Sequence, residues 1–168
     1  MVMKARAALE QAPIKLYFAY STILDRTAFE AWRSEHGYNQ FELPEGKMAA
    51  ALDVNLVFDF PSRFWGGRVA GLTDKPSTAV YGRLFEIPGV DWPIIEHKEG
   101  AVTGMCIERT VRVQSTDSIV EAQAFTTKPE RVSFAGPVSA RFMDALVRGA
   151  KSAGLPADYR ARLQTLAI

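Results

Sequence analysis

Met105-Cys106-Ile107-Glu108-Arg109-Thr110-Val111-Arg112-Val113 and Ile119-Val120-Glu121-Ala122-Gln123-Ala124-Phe125-Thr126-Thr127, joined through Ser115-Thr116-Asp117-Ser118, decide the fold class. Both runs alternate with period two, and the short polar link suits a hairpin turn. Working outward, Val80–Ile87 reads as another strand. Met48–Phe60 is a longer extended region in which Leu52, Val54, Leu56 and Phe58 alternate with Asp53, Asn55 and Asp59, and Pro61 is expected to stop it. Leu16-Tyr17-Phe18-Ala19-Tyr20 is an aromatic-rich run of the buried-strand kind, followed by the small hydroxyl residues Ser21 and Thr22. Asp25 opens a helix to about Ser34 with Phe29 and Trp32 on one face. Ser139 caps a longer helix whose Phe142, Met143, Leu146, Val147 and Ala150 form an apolar stripe; Gly154 ends it, and Pro156 begins a short last helix to about Leu166. Strand, helix, strands, helix, strands, helix is the order of an α+β domain around a mixed sheet.

The chain has 168 residues, enough for one domain with a real core. Hydrophobic residues make up 48% and charged residues 23%, the balance of a globular protein. A net charge of +1 gives no electrostatic footprint for nucleic acid or an anionic membrane, so neither is expected as a partner. No apolar run approaches the length of a membrane span, and Met1–Pro13 lacks the apolar core of a signal peptide. Cys106 is the single cysteine, which excludes an intrachain disulfide and fits a reducing, cytoplasmic setting. Residues 1–13 are an alanine-rich leader that nothing obliges to pack, expected to be disordered in part; residues 14–168 form the domain.

Asp91-Trp92-Pro93-Ile94-Ile95-Glu96-His97-Lys98-Glu99-Gly100 is a short helix with its start and stop written in. Asp91 can cap the first turn, Pro93 is tolerated there, and Gly100 supplies a left-handed exit. Trp92, Ile95 and Glu99 share one face at spacings of three and four, so Glu99 is expected to point inward with the two apolar residues. Loss of water and the negative end of the helix dipole both favour its protonated form, which suits a group that moves protons near neutral pH. The alternative is a frayed helix end with Glu99 in solvent, since glutamate is rarely buried unpaired. Glu96, His97 and Lys98 fall on the other faces, expected in water.

Other chemistry has weaker motifs. No Gly-x-Ser-x-Gly elbow exists for a serine hydrolase. Cys106 lies in a predicted strand and reads as a small core residue, and His36 and His97 have no partners at zinc-ligand spacing, so no metal is expected. Phe64-Trp65-Gly66-Gly67-Arg68 lacks the spacing of either phosphate loop, and a backbone passing close to another element explains its glycines better. Arg63 and Arg68 suit a substrate carboxylate or plain solvation equally.

Several of these segments resemble the gamma-glutamylcyclotransferases. Leu16–Tyr20 resembles that family's first strand, which leads into a Tyr-Gly-Ser-Asn-Leu loop; Asn55–Phe60 with Phe64-Trp65-Gly66-Gly67 resembles its second conserved region. Val80-Tyr81-Gly82-Arg83-Leu84 resembles the strand before the catalytic segment, and His97-Lys98-Glu99-Gly100 the Glu-Gly that carries the essential acid. Gly149-Ala150-Lys151, Gly154-Leu155-Pro156 and Tyr159 resemble the C-terminal helical pair. The matches run in register from about residue 16 to 166. The resemblance, which extends to the AIG2-like fold, implies a small mixed barrel-like sheet with flanking helices and no cofactor. It implies ring closure of a γ-glutamyl group to 5-oxoproline with release of the amine, a cyclotransferase or lyase activity in which Glu99 is general acid/base. By the same resemblance the backbone of Tyr20, Ser21, Thr22, Ile23 and Leu24 would hold substrate, with Phe142 beside it. This chain departs from the pattern at Ser21-Thr22-Ile23, where the family has Gly-Ser-Asn, and at Phe142, where glutathione-pathway members tend to carry a tyrosine. The substrate is therefore expected to differ from small γ-glutamyl dipeptides. A non-catalytic metabolite-binding module on the same fold, or another acyl transfer using the same acid, stays open.

Overall fold

The computed structural model describes residues 13–166, so the expected leader, Pro13 apart, lies outside the described residues. Five strands close into a barrel in the order β1-β3-β2-β4-β5. They are β1 Ile14–Ala19, β2 Lys47–Ser62, β3 Gly67–Pro88, β4 Cys106–Gln114 and β5 Ile119–Thr127. All neighbours are antiparallel except β1 and β5, which meet in parallel through the single pair Tyr17↔Gln123. The expected hairpin is present: β4 and β5 pair from Cys106↔Thr127 to Gln114↔Ile119, and the Ser115 N–H donates to the Ser118 carbonyl at 3.0 Å. The described helices are α1 Arg26–Glu35, α2 Trp92–Glu99, α3 Ala140–Ser152 and α4 Ala157–Thr165. The α+β, barrel-like architecture thus stands. No described helix is long and apolar enough to cross a membrane.

The second half of β1 is buried on both faces, with Tyr17, Phe18 and Ala19 at 0–1% exposure, in keeping with its unbroken apolar run. Strand β2 departs from simple alternation. Its register shifts between Leu52 and Val54, where Asp53 takes φ 58° and accepts from the Ser77 N–H at 3.0 Å. Aspartate tolerates this left-handed geometry better than most residues. The extra residue flips the parity: Ala49 and Ala51 are buried before it, Val54, Leu56 and Phe58 after it, and Leu52 is left half-buried. A second shift between Phe58 and Phe60 turns Asp59 inward, against its expected outward position. Pro61 does not stop the strand, which pairs on to Ser62↔Gly67.

Strand β3 begins at Gly67, well before the expected Val80. Its polar middle, Lys75–Thr78, lies opposite the Asp53 bulge outside the paired register, and this is why the segment lacked a strand pattern. Gly67 passes so close to the chain before α3 that a Cβ would lie 2.8 Å from the Ser139 nitrogen, as expected of the glycine-rich turn. The helix starts are mixed. Asp25 and Ser139 cap α1 and α3, their side chains accepting from the Ala28 and Phe142 amides at 3.2 and 3.1 Å. Asp91 makes no side-chain cap: it ends a 3-10 turn, Gly89–Asp91, with φ −93° and ψ −6°, whereas a capping side chain needs non-helical backbone to reach back. Gly100 takes φ 82° and ends α2 as expected.

The barrel seam between β1 and β3 depends on Gly82, whose Cβ would stand 2.1 Å from the Ala19 carbonyl oxygen and 2.9 Å from the Phe18 ring. Gly82→Ala is expected to lose about 3 kcal/mol of unfolding free energy, seen as a large fall in the urea midpoint. An unchanged midpoint would mean that these strands do not cross this closely.

Candidate active site

Helix α2 lays Trp92 and Ile95, 5% and 0% exposed, into the core, and Glu99 follows them one turn on. Glu99 is half-buried as a residue, but its carboxyl turns inward: Oε1 accepts a hydrogen bond from the hydroxyl of the fully buried Tyr17. Among the described residues Oε2 has no hydrogen-bond partner. Tyr17 is itself held by edge contacts from Trp92 and Phe125 and by the Phe85 ring. The first strand therefore presents one hydroxyl to the last residue of α2, and an inward glutamate is buried with a partner.

Burial raises the Glu99 carboxyl above its ordinary value; the Tyr17 hydroxyl and the nearby Lys98 ammonium oppose this without cancelling it. Burial and the adjacent Glu99 push Tyr17 well up, so it stays a donor. Tyr20 is raised by burial and by the same carboxylate, and donates to the Phe125 carbonyl at 2.5 Å. The Cys106 thiol is pushed up to about 12 by burial, Glu99 and Asp59, so it is no ready thiolate. Cys106 is only half-buried and stands within the field of the acid, a closer neighbour of the site than a plain core residue. Asp59, also raised by burial, accepts from the Thr127 hydroxyl at 2.6 Å.

The loop after β1 splits its side chains between two hollows and the core. Thr22 lines a cleft of about 610 Å³ together with Trp32, Trp65, His97, Lys98 and Thr103. Ile23 and Leu24, 2% and 5% exposed, border a separate hollow of about 400 Å³ with Arg26 and Arg83. The Leu24 and Asp25 amides close the turn onto the Ser21 and Thr22 carbonyls, both at 3.1 Å. Ser21 sits at φ −122°, outside the left-handed region that would require glycine. Phe142 is buried at 3% between Phe58 and Trp65 rather than open to the cleft. Lys98 and Thr103 border this cleft but Glu99 is not among its lining residues; its carboxyl turns toward Tyr17.

His97 and Lys98 are not solvated side chains of a helix back. His97 Nδ1 pairs with the Tyr38 hydroxyl at 2.8 Å, and its ring meets Trp32 and His36 edge-on. The Lys98 ammonium lies 5.6 Å over the Trp32 ring, and burial lowers its pKa. The reading of residues by helical face missed this because the covering element, α1, lies some sixty residues away. The Tyr17 hydroxyl was equally hidden within an apolar run; only a phenol amid otherwise apolar neighbours marked it.

The sequence pattern of the AIG2-like family matches residues 79–163. A bovine gamma-glutamylcyclotransferase is 28% identical over 125 residues, spanning 71% of this chain and 64% of the bovine protein, less than two thirds of its length. A solved gamma-glutamyl cyclotransferase superposes with a TM-score of 0.73 at 21% identity, covering 90% of this chain and 86% of that one. The Bacillus subtilis protein YkqA gives 0.77 at 15% identity over 98% of this chain and 58% of its own. At these identities the solved structures speak for the fold, and the fold agrees with the family pattern running from β3 through α2 to α4: the chain belongs to the AIG2-like family.

Proposed function

We propose that the protein is a cyclotransferase that converts a γ-glutamyl-linked amine or amino acid to 5-oxoproline and the free amine, with Glu99 as general acid/base. The observation that carries this reading is the inward Glu99 carboxyl, raised by burial and held by Tyr17, on the helix whose Lys98 lines a cleft with Thr22. The bovine relative and the solved relative bear the name of that activity, which supports it.

In the proposed reaction the substrate's α-nitrogen forms a bond to its own γ-carbonyl carbon, and the bond from that carbon to the amine breaks. The ring nitrogen keeps one hydrogen of the original ammonium, and the other two finish on the leaving nitrogen. Glu99 relays them through Oε2 while Tyr17 holds Oε1. A tethered nucleophile carries an effective molarity of about 10⁵–10⁸ M, so positioning does much of the work. Backbone amides of residues 21–23 are assigned to the substrate and the developing oxyanion, where a well-placed donor is worth about 3–4 kcal/mol. No cofactor enters this scheme.

Assay of a panel of γ-glutamyl amines and amino acids tests the proposal by the appearance of 5-oxoproline. Glu99→Gln should cut turnover by about 10²–10⁴-fold, the usual worth of positioned proton transfer. Full turnover by that variant would remove Glu99 from the reaction. A ligand that raises the melting temperature and is recovered unchanged would favour the non-catalytic module instead.

The pH dependence gives a second check. Because burial raises Glu99 above 4.5, the acid limb of kcat/KM should lie above the ordinary carboxylate range. Tyr17→Phe removes a hydrogen bond that lowers this value, so the limb should move further up. For stability the sign runs the other way from a salt-bridged acid. A raised folded pKa gives a contribution that is full below the unfolded value and is lost as pH rises through the folded one. Glu99→Gln cannot ionise, so its melting temperature should gain on the wild type as pH rises above 4.5; a constant gap would mean that the carboxyl is not desolvated.

A further inference from the structure

A hollow of about 400 Å³, separate from the cleft that Thr22 lines, is bordered by two guanidinium groups from distant elements: Arg26 at the start of α1 and Arg83 on β3. The proposed reaction uses neither. Arg83 stands opposite Ala19 in the unshifted β1–β3 register, on the strand face that carries Phe85 and Ile87. Those two are 3% and 0% exposed, so the arginine continues a buried apolar stripe, and it is itself half-buried. Among the described residues its guanidinium has no hydrogen-bond or ion-pair partner. A guanidinium has five N–H donors and keeps its charge at any working pH, so partial loss of water leaves it in want of an acceptor.

Arg26 is exposed, and one of its terminal nitrogens donates to the Leu43 carbonyl at 3.4 Å, which steadies the side chain on the rim without neutralising it. Glu45 lines the same hollow from an exposed position. No carboxylate among the described residues comes within ion-pair distance of either arginine, so the lining holds two cations against one acid. The other walls are mainly apolar: buried Ile23, Leu24, Leu43 and Phe85. Residues 43–46 lie against the floor so closely that a Cβ on Gly46 would stand 2.7 Å from the Phe85 ring. Wall and floor are thus packed together before any ligand arrives, as in most small-molecule sites.

We infer that this hollow binds an organic phosphate monoester, its phosphoryl oxygens held by Arg26 and Arg83 and its organic part against Leu43 and Phe85. Arginine forks match phosphate oxygens two at a time, and a dianion balances both cations where a carboxylate would balance one. The volume is more than a bare phosphate ion fills and lies within the range of small organic ligands. The site makes no use of Glu99, so it stands whether or not the protein closes γ-glutamyl groups to 5-oxoproline.

The test is calorimetric titration of the purified full chain with phenyl phosphate, inorganic phosphate and benzoate at mildly alkaline pH. Phenyl phosphate should bind at least tenfold tighter than either of the others. Its affinity should fall as pH drops through about 6, where the monoester takes up a proton and loses one charge. Arg83→Met and Arg26→Gln should each weaken it by about tenfold or more, the worth of one charge-assisted hydrogen bond. Arg26 is exposed, so that variant carries the test should Arg83→Met lower the melting temperature. Lys75→Met, at an exposed position outside the hollow, should change nothing. No binding at millimolar phenyl phosphate, or binding unchanged in either folded arginine variant, would overturn the site. Benzoate as tight as phenyl phosphate would overturn the phosphate assignment, and inorganic phosphate as tight would overturn the organic ester.

Discussion

The hydroxyl of Tyr17 and the carboxyl of Glu99 meet across eighty-two positions of sequence, and much of the molecule serves to bring them together. Tyr17 sits in the half of β1 that is buried on both faces, so its orientation is set by packing. Glu99 ends a helix whose earlier turns are pinned by Trp92 and Ile95. A carboxyl in such surroundings is costly without a partner and inert if its partner is a fixed cation. A neutral phenol satisfies one oxygen while leaving the proton affinity high, which is the compromise a proton carrier requires.

The same helix faces two ways. Inward it supplies the acid; outward, His97 and Lys98 join Trp32, His36 and Tyr38 in an aromatic cluster that fixes α1 against α2. One wall of the cleft, α1, is thus packed against the helix that carries Glu99.

Legibility varied with the range of the forces involved. The hairpin, the caps at Asp25 and Ser139, the Gly100 exit and the inward face of Trp92, Ile95 and Glu99 follow from near-neighbour chemistry, and were readable. The β2 burial pattern was not, because one aspartate in a left-handed conformation shifts the parity of everything after it. The strand's start before Val80 was not readable, because Lys75–Thr78 stands outside the paired register within a longer strand. Asp91 looked like a cap until the preceding 3-10 turn gave it helical backbone. In the site, Glu99 was visible from its helix face, whereas the Tyr17 hydroxyl, the Cys106 thiol near the acid and the placement of Lys98 over Trp32 depend on partners far away in sequence.

One feature of the barrel bears on how it is made. The seam between β1 and β5 rests on a single residue pair, Tyr17↔Gln123, while every other seam is longer. The two residues stand more than a hundred positions apart, and the pairing falls into place only once the strands between them are paired. That join is suited to be the final event of assembly. It also carries the phenol that steadies the acid, so completion of the barrel and arming of the carboxyl would be one and the same step.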